Sequence, residues 1–363
     1  MEEKVVDIKE VEQKLTEMHI KDLDISEGRK LKGPLYKTVS IVALAMSFFH
    51  IYVLTIQPID PWYFRTIHVV FAGVLIFALL PGWKNAPKDR LHFLDYFFML
   101  LVVAPAAYIF YVFDDWIFRA GVLPTPLDFF FSALFVIAVI EMTRRATGLP
   151  LAILCGLFIL YAHFGNYMPG ILYHRGYSWD RMITFLVGLD GILSIPVMAS
   201  AHYIFIFVIF GAFVEASGSG KFFVELARCA AGRFRGGPGK VSILSSALIG
   251  TASGSSVANV VIDGVFNIPM MIHAGFKAHI AAAIEAMNSN GGQITPPVMG
   301  AGAFLMAEML GIPYPKIALA SVIPAILYFT AAYWMIDFYS ASAGLRGLSK
   351  EELPIFGKVM QEK

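Results

Sequence analysis

Long apolar runs recur along the whole chain and limit what it can fold into. Each is close to the roughly 20 residues that a helix needs to cross a hydrocarbon core of about 30 Å. Charged residues make up only 15% of the 363 residues, whereas soluble domains carry about 25%. The sequence therefore predicts an all-α polytopic membrane protein with about eight transmembrane helices. The predicted spans lie at residues 37–57, 63–81, 91–113, 127–142, 149–164, 195–215, 278–310 and 317–336.

Basic residues fall in alternate loops and set the predicted orientation. They precede the first span, separate the second from the third and follow the fourth, whereas the opposite loops hold only Arg65 and Arg119. Because basic loops stay in the cytoplasm, residues 1–36 are predicted to be a cytoplasmic segment. That segment is either a solvated tail or carries a short amphipathic helix. The apolar positions of that helix are Ile8, Val11, Leu15 and Met18.

Several classes of protein do not fit the sequence. Cys155 and Cys229 both lie in apolar stretches, which gives neither a disulfide framework nor a metal-type spacing. The net charge of +1 comes without a basic, aromatic-interleaved patch for nucleic acid. The glycine-rich stretch at 232–239 lacks the GxxxxGK[ST] pattern of an ATP-binding loop. With no nucleophile–base pair either, we expect no enzyme, no cofactor, no transition-metal site, no ATPase partner and no nucleic-acid partner.

Two apolar stretches are interrupted at their centres by small and polar residues. The first, at about 241–271, is broken by the residues TASGSS at 251–256; the second, at about 278–310, is broken by NSNGG at 288–292 and by two prolines. Broken membrane helices are tolerated only where the freed backbone groups face protein or a water-filled cavity. They are also the best sequence indication of a transporter's ion and substrate site.

The length of the first interrupted stretch is compatible with a single crossing or with a re-entrant hairpin. A hairpin keeps Lys240 and Lys277 on one side of the membrane, in agreement with the charge bias. We therefore favour the hairpin. The second stretch is longer than one straight span requires, which indicates a crossing that is unwound near its middle.

The interruptions are rich in oxygen donors that suit a hard monovalent cation. Gly254, Gly291 and Gly292 allow backbone conformations that turn carbonyl groups inward. Half-helix ends there could hold a cation at one terminus and an anionic substrate group at the other. Small residues can also serve only close helix packing, but two breaks with convergent polarity favour a site. The side-chain oxygens are those of Ser253, Ser255, Ser256, Asn259, Asn288, Ser289, Asn290 and Thr295.

Acidic residues near the breaks are further candidates, because ionisable groups inside a membrane are costly and usually functional. Asp263, Glu285 and Glu308 each lie within a few turns of an interruption. His202 lies in an apolar span and is interpreted as a hydrogen-bonded packing residue. The residues predicted to lie near a substrate are Thr251, Asn259, Asn288, Ser289 and Glu285.

Four segments resemble the fused permease subunit of tripartite ATP-independent periplasmic (TRAP) transporters. The resemblance covers nearly everything after about Asp128, and the four earlier spans match the family's small-subunit portion mainly in topology. On this basis residues 37–146 form a small-subunit-like domain and residues 147–363 a large-subunit-like transport domain. The segments are TRRATGLPLAILCGLFILYAHFG, YIFIFVIFGAFVEASGSG, GRFRGGPGKVSILSSALIGTASGSSVANVV and NSNGGQITPPVMGAGAFLMAEMLGIPY.

The resemblance implies a sodium-gradient-driven secondary transporter in the bacterial or archaeal cytoplasmic membrane. It implies an elevator-type fold of two inverted repeats and a periplasmic binding protein that delivers an organic acid, often a dicarboxylate or a keto acid. Sodium would be the coupling ion. The implied sodium-binding residues are Ser253, Gly254, Ser255 and Ser256 at the hairpin tip, and Asn290, Gly291, Gly292, Thr295 and Pro296 in the unwound stretch.

The sequence departs from the family pattern in one respect. Family members carry two repeats, each with a hairpin and a broken helix, and this sequence contains the first repeat alone. The expectation is therefore a first-half permease that works with a second-half chain, as a truncated piece or a split pair. A non-transporting membrane scaffold or assembly subunit is the alternative.

Overall fold

The computed structural model describes residues 28–361, except for the side chain of Glu215. Helices account for 75% of the structure, and the described residues contain no strand. The prediction of an all-α polytopic fold is confirmed. The amphipathic helix predicted within residues 8–18 lies outside the described residues.

Sixteen α-helices follow one another between Gly33 and Gln361. Short 3-10 turns occur at Gly165–Tyr167, Gly170–Leu172 and Gly292–Ile294, and a π-helical turn joins α8 to α9 at Ser200–Ile204. The helices are α1 Gly33–Thr55, α2 Pro61–Leu79, α3 Phe93–Tyr111, α4 Phe113–Arg119, α5 Pro126–Thr147, α6 Leu149–Phe164, α7 Trp179–Leu186, α8 Ile195–Ala199, α9 Phe205–Ala216, α10 Ser219–Ala231, α11 Gly237–Ser253, α12 Ser256–His273, α13 Ala278–Gly291, α14 Ala301–Leu310, α15 Tyr314–Ser342 and α16 Phe356–Gln361.

Within the described part of the chain, eight helical stretches are long and apolar enough to cross a membrane. Six coincide with the first six predicted spans, and α15 coincides with the last. The eighth is α12, which was predicted as one arm of the hairpin. The predicted crossing at 278–310 is not among the eight, because its two helices have only 14 and 10 residues.

The chain divides into two compact units, one that ends at His202 and one that begins at Tyr203. The boundary predicted at residue 147, between the two family portions, does not coincide with this division and stays a prediction.

Helix starts in the first unit follow local sequence signals. Asp60 caps α2 by accepting a hydrogen bond from the backbone N–H of Trp62 (2.8 Å), and Pro61 occupies the first turn. Thr125 and Asp128 form a reciprocal capping box at the start of α5, which satisfies backbone donors that have no partner within the helix. The polar segment at 166–194 contains the short helix α7.

The core of the first unit lies among α2, α3, α4, α5 and the segment that follows α6. Phe77, Trp116 and Phe135 are its largest side chains and have 0% exposure. Gly73 on α2 lets the side chains of Val102 and Met142 approach, because a Cβ there would lie 3.1 Å and 3.2 Å from their atoms. A buried glycine therefore permits close helix packing in this unit.

A buried ion-pair network ties the start of α3 to the end of α5. Asp95 accepts hydrogen bonds from Arg29 Nη2 (2.7 Å) and Arg145 Nη1 (2.6 Å). Arg145 Nε also contacts Glu141 Oε1 at 2.8 Å. The side chains of Arg29 and Asp95 have 0% exposure, so this network replaces water around charges that would otherwise be costly to bury.

In the second unit, α11 and α12 form an antiparallel helical hairpin with its tip at residues 254–255. Asn259 Nδ2 on α12 donates to the carbonyl oxygen of Ser246 on α11 at 2.9 Å. Farther from the tip, Asn267 Nδ2 donates to Ser245 Oγ at 2.8 Å. Residue numbers rise along α12 as they fall along α11, so the two helices form a hairpin. The predicted re-entry of this hairpin into the membrane stays a prediction.

Helix α10 packs on the hairpin through small residues. Ala227 and Ala231 are buried in one cluster with Val241 of α11. Because alanine allows two helix backbones to approach closely, the alanine face makes the contact with the hairpin.

The segment after α15 folds back onto α10. The backbone N–H of Leu348 donates to the carbonyl of Gly232 (2.8 Å), and Arg228 Nη2 donates to the carbonyl of Glu352 (2.7 Å). The backbone N–H of Ser349 donates to Glu352 Oε2 at 2.7 Å and lowers the pKa of that carboxyl group below its ordinary value.

Candidate functional site

The hairpin tip is built by a left-handed glycine followed by a helix-capping serine. Gly254 has φ +59°, and a Cβ there would overlap the carbonyl oxygen of Met299. Ser255 Oγ accepts a hydrogen bond from the backbone N–H of Ala258 (3.3 Å) and so caps α12. Only glycine combines this backbone conformation with such a close approach.

The unwound stretch follows α13 and takes the chain from Gly292 to Gly300 without an α-helix. The backbone N–H of Gly300 donates to the carbonyl of Gln293 at 2.7 Å, which closes the stretch into a compact loop. Tyr314 at the start of α15 donates its hydroxyl to the carbonyl of Pro297 (2.8 Å). Met299 has φ +57°, a left-handed conformation that is unusual for a residue with a side chain.

The tip and the unwound stretch lie against each other. A Cβ on Gly250 would lie 2.5 Å from the Cα of Gly292. The backbone N–H of Val298 donates to the carbonyl of Thr251 at 3.3 Å. Gln293 Nε2 donates to Ser256 Oγ at 2.8 Å. The two interruptions that the sequence places far apart are thus in direct backbone and side-chain contact.

The predicted ion-binding residues differ in their surroundings. Ser255 is exposed, Ser253 and Ser256 are half-buried, and Gly254 is buried at the contact. Asn290 and Gly291, predicted in the unwound stretch, instead belong to the last turn of α13, which continues to Gly291. Gly291 and Gly292 are buried, Thr295 and Pro296 are half-buried, and Asn290 is exposed. The Thr295 hydroxyl donates to the carbonyl of Gly291 at 2.8 Å. Their role in binding sodium stays a prediction.

Most of the predicted substrate-proximal residues lie between the hairpin and α13 rather than at the hairpin tip. Asn259, Asn288, Ser289 and Glu285 all have 0% exposure. Thr251 is half-buried near the tip and donates its hydroxyl to the carbonyl of Leu248 at 2.6 Å. The four buried residues belong to a polar network between α11, α12 and α13.

This network also contains polar residues that were not predicted from the sequence. Ser242 Oγ donates to Glu285 Oε2 (2.9 Å), and Ser246 Oγ donates to Asp263 Oδ2 (2.7 Å). Asn267 joins through Ser245. The missed signal is a four-residue spacing of polar side chains along apolar helices, which places them on one helix face. It is seen at 242 and 246, at 259, 263 and 267, and at 285 and 289.

The oxygens at the contact of the two breaks could hold a hard cation. Backbone carbonyls and hydroxyl groups are the ligands that hard cations prefer. Within residues 28–361, no group of three or more His, Cys, Asp or Glu side chains is arranged to hold a metal ion. The chemistry available at the tip is therefore oxygen coordination without a cluster of charged ligands.

Comparison with known proteins identifies the family. The model of the tripartite ATP-independent periplasmic transporter DctM component matches residues 134–363, which is more than half of the chain. The C4-dicarboxylate TRAP transporter large permease protein DctM of Rhodobacter capsulatus is 28% identical over 166 residues, which cover 46% of this chain and 34% of that protein.

Two further relatives match longer stretches. The isethionate TRAP transporter permease protein DctMQ of Oleidesulfovibrio alaskensis is 26% identical over 224 residues, 62% of this chain and 31% of that protein. The uncharacterized protein y4mL of Sinorhizobium fredii is 27% identical over 210 residues, 58% of this chain and 45% of that protein. The chain thus spans less than half the length of these relatives. The match over residues 134–363 places the chain in the DctM family of TRAP transporter large permeases.

Proposed function

We propose that this chain is part of the membrane permease of a sodium-gradient-driven importer of organic acids. A periplasmic binding protein would deliver the substrate, a C4-dicarboxylate or a keto acid, to the outer face of the cytoplasmic membrane. The N-terminus would lie in the cytoplasm, as the distribution of basic loops favours. A second permease chain or segment would supply the rest of the transport site.

One observation carries this proposal: the contact between the hairpin tip and the unwound stretch. Gly250 and Gly292 allow the backbones to meet, so carbonyl and hydroxyl oxygens from two segments converge. The proposed sodium ligands come from Ser253, Ser255 and Ser256 on one side and from Gly292 and Thr295 on the other. Broken segments that meet in this way are typical of ion and substrate sites in secondary transporters.

Membrane embedding and family membership support the same function. The eight apolar helical stretches agree with a multi-pass membrane protein. The names of the relatives refer to C4-dicarboxylate, 2,3-diketo-L-gulonate and isethionate, all of them organic anions. An anionic substrate group suits the amino-terminal end of a half-helix, where backbone N–H groups point outward.

The test is uptake by liposomes that contain the complete permease. The binding protein, loaded with a radiolabelled C4-dicarboxylate or keto acid, is added outside in the presence of an inward sodium gradient. We expect accumulation that requires both the sodium gradient and the binding protein. Equal accumulation with an inward potassium gradient of the same size would refute sodium coupling.

A further inference from the structure

Two acidic side chains face each other between the hairpin and the first half of the broken helix. Asp263 on α12 and Glu285 on α13 both have 0% exposure. A Cβ on Gly264, next to Asp263, would lie 3.3 Å from Glu285 Cγ, and two serines one turn apart on α11 donate to the two acids, Ser242 to Glu285 and Ser246 to Asp263. Two negative charges this close in a buried site are costly, so one of the two carboxyl groups binds a proton.

Four serine hydroxyls are directed at this acid pair. Ser242 and Ser289 donate to the two oxygens of Glu285, at 2.9 Å and 3.1 Å. Ser245 and Ser246 both donate to Asp263 Oδ2, at 3.1 Å and 2.7 Å. Because all four hydroxyls donate, they stabilise a negative charge that the pair retains after one proton is bound.

Two asparagine side chains donate hydrogen bonds to two of these serine hydroxyls. Asn288 Nδ2 donates to Ser242 Oγ and Asn267 Nδ2 donates to Ser245 Oγ, each at 2.8 Å. The other oxygen of Asp263, Oδ1, has no protein donor in the described structure, and neither have the side-chain oxygens of Asn259, Asn267 and Asn288. All four residues are fully buried. The cluster therefore has acceptor oxygens in excess, which is the condition for binding a proton.

No basic side chain is paired with the two acids in the described part of the second unit. The charged and titratable groups on the helices that surround the cluster have other partners or are exposed. Lys240 and Arg235 pair with Asp337, Lys221 pairs with Glu225, Arg228 bonds the carbonyl of Glu352, His273 lies 3.8 Å from Glu352, Tyr328 donates to the carbonyl of Met287, Glu308 bonds Tyr203, and Lys277, His279 and Lys316 are exposed.

We propose that Asp263 and Glu285 form a buried proton-binding site that joins the hairpin to the broken helix and is separate from the hairpin tip. The ligand is a single proton shared by the two carboxyl groups, as in other pairs of closely spaced acids. This site stands on the buried pair and its hydrogen bonds, so it can be tested independently of sodium-coupled transport.

Binding of the proton affects how tightly α12 packs against α13. Gly264, next to Asp263, allows α13 to approach, because a Cβ there would lie 3.3 Å from Glu285 Cγ. With the proton bound, α12 and α13 are held together by a hydrogen bond at this close contact. Loss of the proton places two negative charges in the same contact and repels the two helices. The proton thus controls how firmly the hairpin is attached to the helix that carries the unwound stretch.

Infrared difference spectroscopy of the purified protein tests the site. The carbonyl-stretching band of a protonated carboxyl group is recorded at neutral pH in sodium-free buffer. We expect this band in the native protein and its loss in both Asp263→Asn and Glu285→Gln, since either change leaves one acid without a partner to share the proton. The matched control is Glu225→Gln, which removes an acid that pairs with Lys221 and should leave the band unchanged.

The same measurement can overturn the proposal. Absence of the band in the native protein at neutral pH, or its persistence in both variants, would contradict a shared proton. A band that disappears on addition of sodium at constant pH would assign the cluster to sodium instead. If the variants do not fold, alkaline titration of the native protein decides. The band should then vanish reversibly while the helical amide signal is retained, and a band that does not titrate would refute the site.

Discussion

Gly250 on the hairpin and Gly292 in the unwound stretch meet so closely that neither position has room for a side chain. A Cβ on Gly292 would lie 2.9 Å from Asn259 Nδ2 and 3.0 Å from the Cα of Gly250. This contact brings the two sequence interruptions into one site. It also links that site to the buried network, because Asn259 belongs to both.

Replacing Gly292 with alanine tests this contact. Gly292 has helical dihedral angles, φ −58° and ψ −29°, so the backbone tolerates alanine and only the space forbids it. Overpacking costs about 1–3 kcal/mol, and we expect sodium-dependent uptake to fall by about tenfold or more. The matched control is Gly302→Ala, where a Cβ would meet nothing within 4 Å. Equal uptake by the two variants would argue against the contact.

Replacing Ser255 separates its capping role from its proposed role at the ion site. Ser255→Ala removes the acceptor for the backbone N–H of Ala258, and loss of such a cap costs about 1 kcal/mol. We expect a lower melting temperature for Ser255→Ala than for the native protein. The melting temperature of Ser255→Asn should return to the native value, because asparagine also caps helices. A bulky residue, as in Ser255→Trp, should abolish uptake in protein that remains folded. Unchanged uptake by that variant would exclude Ser255 from the site.

Both interruptions were predictable because glycine, serine and proline stand out in apolar sequence. The tip at Gly254 and Ser255 lies within the predicted 251–256, whereas the unwound stretch begins at Gly292 rather than at 288, because α13 continues to Gly291. The contact between them was not derivable from composition or periodicity, since it depends on how the hairpin lies against α13. Family resemblance suggested that contact, and the glycines at 250 and 292 make it sterically possible.

The ion-pair network of the first unit predicts a large stability effect. Asp95→Asn leaves Arg29 and Arg145 without their shared carboxylate, although both side chains are almost fully buried. Breaking a buried pair in this way costs about 3–5 kcal/mol. We expect a clearly lower melting temperature than in Asp114→Asn, which changes an exposed aspartate of the same unit. Equal melting temperatures would mean that the network contributes no net stability.

The segment after α15 should detach from α10 at acidic pH. The Ser349 backbone hydrogen bond lowers the pKa of Glu352 below its ordinary value of 4.5. The stabilisation is therefore complete above that value and is lost as the pH falls through the lowered pKa. We expect cleavage of this segment by an acid-active protease to accelerate over that range.

A pair of neighbouring substitutions checks the role of Glu352. In Glu352→Gln the segment should be cleaved faster even at mildly acidic pH, with less dependence on pH. In Glu351→Gln, which changes an exposed neighbour, cleavage should match the native protein. The same pH profile in all three proteins would contradict the role of this hydrogen bond.

The buried network could not be predicted from the sequence for a physical reason. Ser242, Asp263 and Glu285 come from three different helices, and each by itself looks like an isolated polar residue in an apolar run. The register of the hairpin decides which polar helix faces meet. Near the tip, this register is set by the hydrogen bond from Asn259 to the carbonyl of Ser246. Periodicity identifies a polar face, but only packing identifies its partners.

Sodium-dependent protection of the hairpin tip tests the central claim most directly. Val257 is 74% exposed beside the tip and is not a proposed ligand. In protein lacking Cys155 and Cys229, the variant Val257→Cys is labelled with a maleimide in sodium or in potassium at equal ionic strength. We predict slower labelling in sodium, and loss of that difference when Gly292→Ala is added. Equal labelling rates in the two salts would contradict a sodium site at the contact of the hairpin tip and the unwound stretch.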